Sequence, residues 1–220
     1  MNSRSAALAD RQNSGPESPA PASKGGKRRK DIFRALHQCV ISQGYANTTL
    51  ADVARTAGMS PSHLLYYFPG KGSILQQYFA DVSRRIVDRI QGFRHESPER
   101  QFGLLAELFF GGRNVTKSEI GFMLECFGAA VHDTNLNREK TELDSYCKSY
   151  LQELFAQMPC GPARARDAAE VAYAMLVGLR TASYFDDRLS PAHARQLFYA
   201  EMQNLANAGR TGRAARPRTR

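Results

Sequence analysis

Residues 49–71, TLADVARTAGMSPSHLLYYFPGK, constrain the fold of this chain more than any other stretch. Leu50, Val53, Ala54 and Ala57 recur at helical spacing and give a short helix one apolar face. Gly58 offers the positive φ that a helix exit requires, and Ser60 followed by Pro61 reads as the N-cap and first position of a second helix. Leu64 and Phe68 make the buried stripe of that helix, and Pro69 stops it. Two short helices across a glycine turn are the grammar of a helix-turn-helix, whose second helix enters a DNA major groove. The sequence therefore points to double-stranded DNA as a partner.

These residues resemble the DNA-binding domain of the TetR family of bacterial transcriptional regulators. The likeness starts at Gly44-Tyr45 and continues through Thr48-Thr49-Leu50, Val53-Ala54 and Ala57-Gly58-Met59-Ser60. It closes with Tyr66-Tyr67-Phe68-Pro69 and Lys71. It departs at Leu65, where the family most often has tyrosine, and at Gly72, which replaces an acidic residue. The resemblance implies base or phosphate contacts at Pro61, Ser62, His63 and Tyr66, a backbone contact at Tyr67 and a phosphate contact at Lys71. It implies another at Thr48 or Thr49, whichever caps the first helix of the pair, since helix N-termini attract anions.

The side-chain chemistry agrees. Ser60, Ser62 and His63 are polar groups near the helix start, Pro61 suits a thymine methyl, and a tyrosine hydroxyl reaches phosphate. Bland readings stand beside these: Thr49 only a cap, His63 only an exposed polar residue, Tyr67 a member of the small core.

The formal charge of +9 sits in the tails. Residues 1–30 and 208–220 carry +5 each, which leaves −1 for residues 31–207. The C-terminal arginines read as a solvated, disordered tail. Lys27-Arg28-Arg29-Lys30 abuts the first helix of the DNA-binding unit and reads as a basic arm along phosphates or in the minor groove. Cys39, Cys126, Cys147 and Cys160 lack the spacing of a metal or redox site, so buried thiols are expected. The longest apolar run, Val171 to Leu179, is about half the ~20 residues a membrane span needs. Residues 1–26, rich in Ser, Pro, Ala and Gly, lack the apolar core of a secretory signal. A soluble cytoplasmic protein is the expectation.

Helical periodicity predicts an all-α chain. Helices are expected from near Lys27 to Gln43, over the helix-turn-helix, then from Gly72 to Phe93, Glu99 to Phe110 and Lys117 to His132. Asn137 to Met158, Ala163 to Phe185 and Pro191 to Asn207 complete the set. The domain reading is a disordered leader (1–26), a helix-turn-helix domain (27–71), an effector-binding and dimerisation domain (72–207) and a basic tail (208–220). The helix from Gly72 touches both domains and is the natural lever between them.

A single short recognition helix binds weakly, so a two-fold dimer on a palindromic site is expected. Ala174, Gly178 and Ala182 form a small-residue stripe flanked by Val171, Met175 and Leu179; Leu197, Met202 and Leu205 give the last helix its apolar side. By resemblance to the family, the last two helices pair with their counterparts in a four-helix bundle. The C-terminal half also resembles the choline-responsive BetI-type members, through Val131-His132-Asp133, Gly178-Leu179 and Leu189-Ser190-Pro191.

A sensor pocket in this family lies among helices four to eight. Phe102, Phe109, Phe122, Cys126, Tyr150 and Tyr173 are lining candidates, each with ordinary core as the alternative. Glu125 and Arg180 sit inside apolar runs, so they are expected either to pair with each other or to face a charged effector. The implied function is a ligand-responsive transcriptional repressor released by a small molecule, without cofactor or metal. An activator of the same fold is one alternative. Another is a helical binding protein or enzyme using Cys126, His132 and Asp133.

Overall fold

The computed structural model describes residues 24–111 and 116–208. The expected leader up to residue 23, Gly112 and the tail from residue 209 lie outside the described residues. Among those described there are nine helices and no strand. They are α1 (Lys24–Asn47), α2 (Leu50–Thr56), α3 (Pro61–Tyr67), α4 (Lys71–Phe93), α5 (Pro98–Phe110), α6 (Lys117–Ala130), α7 (Thr134–Ala156), α8 (Pro162–Phe185) and α9 (Pro191–Asn207).

Local chemistry sets most of these ends. Thr49, Ser60, Ser97, Thr116 and Ser190 each accept an N–H from the first turn of their helix, and Pro61, Pro98 and Pro191 stand at the first position behind three of them. Thr49 and Asp52 form a reciprocal capping box. The Thr49 hydroxyl, ahead of every other influence, holds the Asp52 carboxyl down at about 2. Thr49→Ala is expected to cost about 0.5–2 kcal/mol, read as a lower melting temperature.

Two helix starts differ from the sequence reading by three residues each. α1 begins at Lys24 and runs through Gly25 and Gly26, against the low helix propensity of glycine. α7 begins at Thr134, because the Asp133 carboxylate caps it through the N–H groups of Asn135 and Leu136.

Inside α1 the helix breaks at Gly44, whose φ of 79° and ψ of 157° favour glycine. The carbonyls exposed by that break are satisfied at once. The Thr48 hydroxyl donates to Gly44 O (2.8 Å), and Lys71 Nζ donates to Tyr45 O (2.7 Å).

Two apolar cores divide the molecule. The first gathers Ile32, Leu36 and Val40 of α1, Val53 of α2, Leu64 of α3, Phe68, and Ile74, Leu75 and Phe79 of α4. It is completed by Phe122, Cys126 and Ala130 of α6 and Leu136 of α7, so helices beyond residue 72 help to close the head. The second packs α5, α7, α8 and α9 around Phe102, Leu151, Phe155, Ala172, Phe198 and Met202. α4 begins in the first core and, through Ile90, ends in the second. No helix among the described residues is long and apolar enough to cross a membrane.

Candidate functional site

In α3, Leu64 is fully buried, as is Phe68 just beyond its end, and these two fix the helix to the head. Pro61, Ser62, His63, Leu65 and Tyr66 face outward, Tyr66 with 83% of its surface exposed. Tyr67 is half-buried, its ring 5.3 Å from that of Tyr66 and 5.5 Å from that of His63. It belongs in part to the small core. The Ser60 hydroxyl accepts the His63 N–H at 3.2 Å, so Ser60 caps α3 as its neighbours present their side chains.

Two expected DNA contacts, Thr48 and Lys71, have their polar groups engaged within the chain. Thr48 is buried, its hydroxyl occupied by the Gly44 carbonyl; the exposed cap of α2 is Thr49. Lys71 directs its ammonium at Tyr45 O and Ala46 O and over the Tyr45 ring (4.3 Å), closing the C-terminal end of α1. Burial lowers its pKa. Lys27, Arg28, Arg29 and Lys30 are all exposed on the first turns of α1. Arg29 donates to Gln77 Oε1 (2.7 Å) and sits 5.4 Å from the Phe68 ring centre, which ties this turn to α4. Lys27, Arg28 and Lys30 remain outward-facing cations beside the head.

Behind the head lies a partly open chamber of ≈ 880 Å³ lined by α4, α5, α6, α7 and α8. Of the residues expected to line it, Phe109, Phe122, Cys126, Tyr173 and Arg180 do. Phe102 and Tyr150 do not. Phe102 is fully buried against Phe155 (5.5 Å between rings), and Tyr150 donates its hydroxyl to the Gln101 side chain in the second core.

The Glu125–Arg180 pair is absent. Glu125 is exposed on the outer side of α6, where its carboxylate accepts the Tyr45 N–H at 2.8 Å. Arg180 faces the chamber. The physical reason is rotational: adjacent positions on a helix point about 100° apart, so Cys126 turned inward leaves Glu125 outside. Glu125 instead borders a separate open cavity of ≈ 740 Å³ with Tyr45, His132, Asp133 and Phe185. Cys126 lies in the chamber, so the cluster Cys126, His132 and Asp133 is split between two cavities. Burial pushes the Cys126 thiol up to about 12, away from nucleophilic character.

Sequence reasoning placed Tyr78 and Phe79 on the apolar stripe of α4 without seeing them as chamber wall; their adjacency on the lever helix was the available signal. It missed the polar group formed by Lys140, Asp144 and Tyr173: Lys140 reaches Asp144 at 2.5 Å, and the Tyr173 hydroxyl donates to the same carboxylate. Burial and that bond raise the Tyr173 pKa.

On α8, Val171, Ala174, Gly178 and Ala182 are all exposed, and Phe185, 73% exposed, extends the same face. A methyl group added at Gly178 would meet nothing within 4 Å among the described residues, so that glycine serves no close neighbour there. Leu197 is exposed on α9, while Met175, Leu179 and Leu205 are half-buried. Met202 is fully buried beside Ala194, Phe198 and Ala206 in the chain's own core and is not available to a partner.

The arrangement of helices matches known proteins at both ends. Residues 32–78 match the profile of bacterial regulatory proteins of the tetR family, and residues 98–206 match that of the BetI-type transcriptional repressor C-terminal domain. The chain belongs to the TetR family. Its C-terminal match begins at the first residue of α5 and ends one residue short of the end of α9.

Among relatives, the HTH-type transcriptional regulator BetI 2 of Chromohalobacter salexigens is 28% identical over 184 residues, covering 81% of this chain and 88% of that one. A transcriptional regulator of Rhodococcus sp. Rha1 shares the fold with a TM-score of 0.72 at 15% identity, covering 86% and 99% of the two chains. A Saccharomonospora viridis protein solved in complex with choline superposes with a TM-score of 0.69 at 18% identity, covering 80% and 96%. This TetR-family chain is accordingly a transcriptional regulator of the helix-turn-helix type.

Proposed function

We propose that the protein is a homodimeric, ligand-responsive repressor that binds palindromic DNA through α3 and releases it when a small molecule fills the chamber. The observation that carries this reading is α3 itself. Its inner face is locked by Leu64 and Phe68, and Pro61, Ser62, His63 and Tyr66 stand outward on seven residues of helix. So short a reader needs a second copy about one helical turn of DNA away, roughly 34–36 Å. The exposed stripe Val171, Ala174, Gly178, Ala182 and Phe185, with Leu197 beside it, supplies the face on which two copies join.

In this reading residues 27–71 form the DNA-binding head and residues 72–207 the sensor and dimer body, working in the cytoplasm. A ligand in the chamber acts on the head by two routes. One is α4, which runs from core to core. The other is α6, whose Phe122 lines the chamber while Glu125 holds the Tyr45 N–H of α1. The ligand shifts the equilibrium only by its differential affinity for the two head spacings.

Lys27, Arg28 and Lys30 add phosphate contacts from the first turns of α1. Replacing each by alanine is expected to weaken binding to many sequences and to reduce the log–log salt slope by ~0.9 per lost contact. An unchanged slope in the triple variant would assign these side chains to solvent. The reading as a whole is tested by sedimentation of the full chain with a duplex selected from random sequence. The expected complex holds an even number of protomers; a tight, strictly monomeric complex would overturn it.

A further inference from the structure

We propose that the chamber takes a small organic anion, with its carboxylate gripped by the Arg180 guanidinium and its apolar body held by the aromatic walls. This rests on the chamber being the effector site and names the class of effector. Arg180 enters from α8, and its guanidinium carbon lies 6.0 Å from the Phe109 ring centre. Its Nε is sealed from solvent and meets no acceptor, and no ion pair to its guanidinium forms among the described residues. Burial lowers its pKa, with Glu119 and Tyr173 acting in the opposite sense, yet a guanidinium keeps its proton in proteins. The result is a largely desolvated cation whose Nε has no acceptor, an arrangement that is costly unless a partner arrives.

Two of the carboxylates around the chamber are firmly engaged. Asp144 is held by Lys140 and Tyr173, Glu107 by Arg195 at 2.5 Å, and Glu119 faces His37 at 3.7 Å. On the rim stand exposed Arg85, Arg89 and Asp88, with Arg85 paired to Asp81 at 3.3 Å. A quaternary ammonium would find aromatic rings here but also Arg180, whose like charge opposes it. A carboxylate finds a planar fork able to bind it with two parallel N–H donors. Tyr78, Phe79, Phe122 and Phe127 then enclose an apolar body, and ≈ 880 Å³ suits a drug-sized molecule.

The test uses the full chain without DNA and measures binding by calorimetry and melting temperature. The probes are benzoate, phenylacetate and octanoate, each beside its own uncharged amide, with choline and octyltrimethylammonium as cations. At least one carboxylate is expected to bind about 10- to 100-fold more tightly than its amide and to raise the melting temperature, while both cations do neither. Arg180→Met should abolish the difference between carboxylate and amide, and Arg180→Lys should retain part of it. Without ligand, Arg180→Met should melt no lower than wild type, since it removes a largely buried charge that no ion pair holds.

Three results would overturn the proposal: amides equal to acids throughout, a cation preferred, or unliganded Arg180→Met melting clearly below wild type. Because these readouts need no DNA, they fail or succeed independently of the operator reading. A protein that selects a palindrome yet prefers choline would refute the anion and leave the regulator intact.

Discussion

Phe122→Ala is expected to destabilise the chain by about 3 kcal/mol, toward the low end of the range for truncating a buried phenylalanine. Phe122 is 2% exposed, with its ring 4.8 Å from that of His37 on α1 and 4.9 Å from that of Tyr78 on α4. It also forms chamber wall, so the void left by truncation opens into existing space and is relieved in part. The same side chain is where the ligand chamber touches the head. The variant should therefore need more ligand to release DNA even when assayed well below its melting point. Phe102→Ala gives the control. Phe102 is fully buried in the second core, away from the chamber, and its loss should cost about 3–5 kcal/mol with the ligand response unchanged. Urea titration of both variants, followed by ligand titration of their DNA complexes, checks the pair. Equal effects on release would remove Phe122 from the coupling route.

The second large effect is expected on DNA choice. Ser62→Ala and His63→Ala should each cost about 1–3 kcal/mol per lost specific base contact, and a dimer loses each contact twice. Ser62 and His63 are exposed and their side chains form no hydrogen bond among the described residues, the His63 ring resting 5.5 Å from that of Tyr67 and its backbone N–H held by the Ser60 cap. Their removal should therefore leave melting temperature and dimer mass unchanged. Leu64→Ala behaves in the opposite way. It empties the fully buried anchor of α3 and should destabilise the head by about 2–5 kcal/mol, weakening all DNA alike.

The residues that specify this fold locally were legible in the chain. The α2–turn–α3 unit follows from Thr49, Gly58, Ser60 and Pro61, whose caps and positive φ act within four residues of themselves. α9 runs from Pro191 to Asn207 as read, because Ser190 and Pro191 mark its start unambiguously. What was illegible depends on distant partners or on rotation about a helix. Thr48 and Lys71 are drawn to carbonyls released by the break at Gly44, and nothing in their own segments announces that demand. Glu125 and Arg180 both interrupt apolar runs, yet which side of α6 faces the chamber was decided by Phe122 and Cys126 filling the first core. Met202 and Leu197 look alike in sequence, but only the residues in register with Ala194, Phe198 and Ala206 reach the interior. The basic run at residues 27–30 read as an arm because its charge was conspicuous; Arg29 bonding to Gln77 of α4 shows that its helical placement matters as well.

Selection of bound duplexes from a random library, run in parallel on wild type and on the Ser62→Ala/His63→Ala double variant, tests the central claim most directly. The account predicts that wild type enriches a palindrome whose half-sites lie about one helical turn apart, and that the double variant enriches a broader set with the same spacing. Identical selected sequences from the two proteins, or no palindrome from wild type, would contradict the assignment of α3 as the reading helix.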